Sequence, residues 1–342
     1  MGQSISFRHL NVSDGLSHNN IHAATIDKNG FLWIGTAEGL NVFNGHSIRS
    51  FFLEKFPQMP SNNIDVLFCD SKNQVWAGSS RGAMFIDVNR QLHPVVLNDT
   101  LKQFNVAAII ETKAYGIVII SSRGQFYLNE KSKQWMELDW PPDFFKETIQ
   151  EVIHFKNDGY LVTGNQRYYL IDYSRQQITD TIHLLNARAA AVLNDDQLLL
   201  GNNRGKLIQY SVREKKIIKS FTLEEKKEGQ DISINLWRMR KAANEEILIG
   251  SQSSGLIRFN YQTGDFVKYT YDPLIPNSGA TDLIRDLYCH GNGDVVLMTR
   301  NAGLSIFNVN SSSAVHFQSF ADSKGLIFSN FINGIAEDQN GM

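Results

Sequence analysis

The chain has 342 residues, 42 % hydrophobic and 20 % charged, which is the balance of a globular protein able to bury a sizeable core. Lys and Arg number 33 against 35 Asp and Glu, so the net charge of −2 supplies no global basic field and argues against a nucleic-acid binder. There is no run of 18 apolar residues to cross a membrane as a helix, and the opening MGQSISFRHL has no apolar leader region, which leaves a cytoplasmic protein or one whose signal peptide has been removed.

In chain order, Ile5–Leu10 followed by Asp14-Gly15-Leu16-Ser17 reads as an outer strand and a link into a new unit. Four short apolar runs then follow: Ile21–Ile26, Phe31–Gly35, Leu40–Phe43 and Ile48–Phe52. They are separated by Asp27-Lys28-Asn29-Gly30, Thr36–Gly39 and Asn44-Gly45-His46. Runs this short suit strands, and Asn-Gly between apolar runs marks a hairpin. The same grammar restarts at Asn62, Phe104, Thr148, Asn186, Ile234 and Leu283. A four-stranded unit recurring about every 44 residues predicts an all-β fold, a seven-bladed β-propeller of antiparallel blades. The second glycine of each turn falls at Gly39, Gly82, Gly124, Gly205, Gly255 and Gly303, and copy four has Tyr168 there. Trp33 and Trp76 share one position on the second strand and are expected to pack between blades.

Two segments compete to complete the last blade, Ile5–Leu10 and Val315–Phe320. Closure by strands from both ends removes an exposed sheet edge, so Ile5–Leu10 is expected to pair near Ser305–Asn308. The propeller is assigned residues 1–324. Residues 325–342 match the start of copy one and read as the truncated beginning of a following blade. Cys69 and Cys289 end first strands two blades apart, too far to bridge, and both are expected to be free thiols.

The segment from Asp14 to Gly45 contains D-x-x-G-x-x-W-I-G-T-x-x-G-L and resembles the two-component regulator propeller repeat. Copies two and six match it well, and three, four, five and seven are degenerate. The resemblance implies a periplasmic sensor propeller of a Bacteroides-type hybrid two-component system, joined in its parent chain to a second propeller, a membrane helix, a histidine kinase and a response regulator. It implies an oligosaccharide ligand derived from glycans, a homodimeric parent and phosphotransfer carried out elsewhere. No kinase motif occurs in these residues.

Acidic turns such as Asp27–Gly30 lack the alternating ligands and distal Glu of a calcium loop and read as Asx turns. No HExxH or CxxC spacing is present, and no metal, cofactor or catalytic residue is assigned. A sialidase- or lyase-like catalytic propeller and a protein-interaction scaffold are the alternatives. Arginine precedes the second glycine position at Arg81, Arg123, Arg167 and Arg204, in four consecutive copies. These turns and the inter-blade connections should share one face. The connections bring Asn20, Asn63, Arg188 and Arg285 to it, and Tyr168 and Tyr169 are expected to stack on a sugar ring. Exposed guanidinium groups favour an acidic oligosaccharide.

Overall fold

The Asp–Gly turn of the repeat shows why each blade forms. Oδ1 of Asp27 accepts the amides of Asn29 and Phe31, and Oδ2 accepts the indole N–H of Trp33 at 2.9 Å. Asp70 and Trp76 repeat the arrangement. One carboxylate therefore closes the hairpin between the first two strands and satisfies the indole that the second strand buries. Trp33 packs on Ile64, Val75, Ala77 and Met84 of the next blade, so the tryptophans do fill the space between blades.

The computed structural model describes residues 5–97, 103–129, 131–140, 148–227, 230–275 and 278–310. It contains seven four-stranded antiparallel sheets. Their innermost strands are Ile21–Ile26, Val66–Cys69, Val106–Thr112, Glu151–His154, Ala187–Val192, Leu236–Lys241 and Ile284–Cys289, and they define blades one to seven. Each sheet but the last runs outward in sequence order. A two-stranded hairpin, Glu224–Lys227 with Gln230–Ser233, lies between blades five and six and was not foreseen from the sequence. Among the described residues the one helical element is a 3-10 turn at Val12–Asp14, and no helix is long and apolar enough to cross a membrane.

The ring closes as expected. Arg8, His9 and Leu10 pair with Ile306, Ser305 and Leu304, making an N-terminal strand the outer strand of blade seven. Leu10 joins the cluster of Leu16, Met298 and Leu304, and Phe7 packs edge-on against Phe307. The competing segment 315–320 and the boundary at residue 325 lie outside the described residues.

All six second glycines have positive φ, and at Gly39, Gly205, Gly255 and Gly303 a backbone carbonyl also approaches too closely for a Cβ. At Gly39, φ is +125° and a Cβ would sit 2.9 Å from the carbonyl oxygen of Phe51, where the outer strand ends. Gly303 is held in the same way under Leu10, at the closing strand.

Cys69 and Cys289 are free. Burial pushes both thiols up to about 11, so little thiolate exists near neutrality. Alkylation at pH 8 should be slow in the folded chain, accelerate towards pH 11, and reach two sites per chain in denaturant without reductant. Failure to label in denaturant would contradict free thiols.

Candidate functional site

Backbone hydrogen bonds tie the turns between second and third strands to the connections between blades. Amides of Ala37, Ser122, Asn203 and Gln252 donate to carbonyls of Asn20, Asn105, Asn186 and Asn235. Gly39, Gly255 and Gly303 donate across to Asn62, Asp282 and Asn19. Turns and connections thus form one face, where the innermost strands begin.

On that face the innermost strands are not regular. Blades one, three, five, six and seven each carry a register shift, at His22, Ala107, Arg188, Trp237 and Arg285. In blades two and four, Asp65 and Gln150 hold the matching place, their amides donating to Gly78 and Thr163. A bulge re-aims the extra side chain. All seven residues line one cavity of about 840 Å³ bounded by innermost strands of every blade, the central channel of the ring. The wall is asymmetric in charge: Lys28, Asp65, Asp70 and Glu111 line it from blades one to three, while all four of its arginines come from blades five to seven.

Below this ring sits a network of two guanidinium groups and two carboxylates. Arg240 donates to Glu151 through Nη1 and to Asp286 Oδ1 at 3.1 Å through Nη2. Arg238 lies 3.9 Å from Glu151 and 3.7 Å from Asp286, and donates to the carbonyl oxygens of Trp237 and Gln150 at 2.9 and 3.0 Å. Arg238 therefore links blades four and six from inside the channel, and Arg240 links blades four and seven. Burial pushes the Glu151 carboxyl up against the downward pull of Arg240 and Arg238. Burial likewise opposes the charge on Arg240, but Glu151 and Asp286 outweigh it and hold its pKa above the usual guanidinium range.

Two arginines stand apart from this balance. Arg188 lies over the ring of Trp237, 3.4 Å from its centroid, and donates to Gln150 Oε1. Arg285 donates to Asn20 Oδ1 at 3.2 Å. Neither forms a salt bridge with a carboxylate among the described residues. Burial, then Arg238, lowers the Arg188 pKa to about 10. Burial also lowers that of Arg285, partly offset by Asp65 and reinforced by Arg300 and Arg238. Opposite them, His22 Nδ1 meets Asp65 Oδ1 at 2.8 Å, and Asn63 donates to Asp65 Oδ2 at 2.7 Å.

Of the residues selected from sequence, Arg188 lines the channel, and Asn20 and Asn63 bind residues that do. Arg81, Arg123 and Arg204 are exposed on the turns, their amides donating to Ser79 Oγ, Ser121 Oγ and Asn202 Oδ1. Arg167 departs from the expected pattern. The turn of blade four is two residues longer than those of blades one to three, since Thr163 pairs with Tyr168, and Arg167 is a strand residue opposite His183. Tyr168 and Tyr169 are corrected too: they are 0 % and 5 % exposed and cannot stack on a sugar. The Tyr168 hydroxyl donates to Ala189 O at 2.9 Å and accepts the amides of Gly201 and Arg188 at 3.2 and 3.3 Å. It props the bulge that presents Arg188. Desolvation raises its pKa well above that of an ordinary phenol. No group of three His, Cys, Asp or Glu side chains among the described residues is arranged to hold a metal ion.

Fold and channel together define a closed seven-bladed propeller with a polar, asymmetric central cavity. The two component regulator propeller family model matches residues 15–38, so blade one carries that repeat. Among solved structures, the chain is similar to the extracellular domain of a B. thetaiotaomicron protein described as the hybrid two component system BT3049. The TM-score is 0.69 and the identity 14 %, over 89 % of this chain and 42 % of that one. A second such extracellular domain, from the B. thetaiotaomicron system BT4673, gives 0.67 and 14 % over 90 % and 40 %. Virginiamycin B lyase from Staphylococcus aureus gives 0.66 and 13 % over 90 % and 100 %. At these identities the likeness is one of fold. The chain spans about two fifths of the length of the two extracellular domains. A search of curated protein sequences gives no match.

Proposed function

We propose that this chain is the extracytoplasmic ligand-sensing propeller of a hybrid two-component signalling protein. It binds a glycan-derived oligosaccharide on the face of turns and connections, at the channel mouth. The bound state regulates a histidine kinase that lies outside the chain, in a parent that also carries a second propeller and works as a homodimer. The observation that carries this reading is the two component regulator propeller repeat at residues 15–38, which builds the blade that brings His22 to the channel. Arg81, Arg123 and Arg204, exposed on the same face, would meet the outer sugars of a longer ligand. Such exposed contacts are individually weak and salt-sensitive. The chain itself is read as non-catalytic.

The test is a calorimetric panel of neutral and acidic oligosaccharides, run beside chromogenic glycosides. Saturable binding without turnover is the expected result. Turnover would replace the sensor by a catalytic propeller, and a panel with no binding would favour a protein-interaction scaffold.

A further inference from the structure

We propose that the channel mouth contains an anion subsite in which Arg188 and Arg285 together receive a carboxylate or sulfate group of the sugar ligand. This rests on the sensor reading and deepens it by naming the ligand's chemical class and the place where it is held.

The charges at the channel mouth do not balance. Arg238 and Arg240 are matched by Glu151 and Asp286, two cations against two anions within 4 Å. Asp65 is hydrogen-bonded to His22 and Asn63 and also acts on Arg285, so the channel mouth sets four guanidinium groups against three carboxylates. The side chains of Arg188 and Arg285 donate to neutral amides, Gln150 Oε1 and Asn20 Oδ1, and not to a carboxylate. A half-buried cation held by neutral acceptors, with further guanidinium groups close by, is electrostatically costly. Their lowered pKa values express the same cost. An arriving anion would remove it.

Geometry supports the same site. Both arginines occupy the bulged position of their strands, in blades five and seven, with Trp237 at that position in the blade between them. The indole under Arg188 holds the guanidinium plane. Nε of Arg188 and Nε2 of His22 are buried without a hydrogen-bond partner among the described residues, and the His22 side chain is only 8 % exposed. Guanidinium groups bind carboxylate and sulfate through paired N–H donors. The cavity volume of about 840 Å³ lies within the range of small-ligand sites.

The experiment uses the whole chain and the double variant Arg188→Gln/Arg285→Gln. Thermal unfolding is followed with sodium sulfate, sodium glucuronate, methyl glucuronate ester and glucose, with ionic strength balanced by sodium chloride. The unfolding midpoint in chloride alone shows that the variant folds. The quantity read is the midpoint shift of the wild type minus that of the variant, which cancels general salt effects. Ligand linkage predicts an excess of about 2–3 °C for sulfate, glucuronate or both, and none for the ester or glucose. Sulfate acting alone assigns a sulfated sugar, and glucuronate acting alone assigns a uronic acid. Equal shifts in the two proteins overturn the anion subsite. The sensor reading is judged separately: an oligosaccharide that binds wild type and variant with equal affinity leaves it standing while removing this subsite.

Discussion

Replacing Glu151 by alanine is expected to destabilise the chain by about 3 kcal/mol, the lower end of the range for breaking a buried ion pair. The Glu151 side chain is 6 % exposed and accepts from Arg240, with Arg238 also within 4 Å. Its removal leaves Asp286 alone to face two guanidinium groups. The lower figure applies because the Arg240 side chain remains 27 % exposed and can regain some hydration. Replacing Glu151 and Arg240 together by Leu and Met should cost less than the single alanine change, since an apolar pair leaves no unpaired charge. Urea unfolding of the three variants measures this. An unchanged midpoint for Glu151→Ala would mean that the network does not bind blades four, six and seven together.

Removal of residues 1–10 should have the larger effect and abolish cooperative folding. Phe7 and Leu10 are 3 % and 4 % exposed, in two different core clusters. Each such side chain is worth about 2–5 kcal/mol when deleted from a core. Together they approach the whole stability of a typical domain, about 5–15 kcal/mol. The truncation also leaves the edge of Leu304–Asn308 unpaired, a template for association with other chains. The single change Phe7→Ala should cost about 3–5 kcal/mol and leave the ring closed. Size-exclusion chromatography and thermal unfolding distinguish the two variants. A monomeric truncated chain with an undiminished midpoint would show that another segment closes blade seven.

The fold was legible because the repeat writes its own chemistry. Asp27 with Trp33 and Asp70 with Trp76 occur at one spacing since a single carboxylate closes the turn and satisfies the indole. The glycines recur because each turn needs a positive φ there, and at four of the six a backbone carbonyl also leaves no room for a Cβ. In copy four Tyr168 does take the glycine's place, pairing with Thr163 as Gly39 pairs with Thr36, but the turn gained two residues and Arg167 became a strand residue instead of a turn residue. The site was only partly legible. Asn20 and Asn63 were found because they sit on connections, and Arg188 and Arg285 because they stand at the second residue of an innermost strand, next to one. His22, Asp65, Glu151, Trp237, Arg238 and Arg240 were missed, because strict alternation along a strand hides a bulge that sends a further residue to the channel. A usable signal was present in Leu236-Trp237-Arg238-Met239-Arg240-Lys241. Arg238 and Arg240 alternate on an innermost strand where blade five has alanines, Ala189 and Ala191, and both line the channel.

A ligand held at the channel mouth must lie beside Trp237. The direct measurement is intrinsic fluorescence during titration with an oligosaccharide that binds in the calorimetric panel, for the wild type and for Trp237→Phe. Trp33 and Trp76 are buried and bonded to Asp27 and Asp70, so they should report little. A saturable emission change is expected in the wild type at the calorimetric affinity, with most of that change lost in Trp237→Phe. A change of undiminished amplitude in Trp237→Phe would place the ligand elsewhere and contradict binding at the channel mouth.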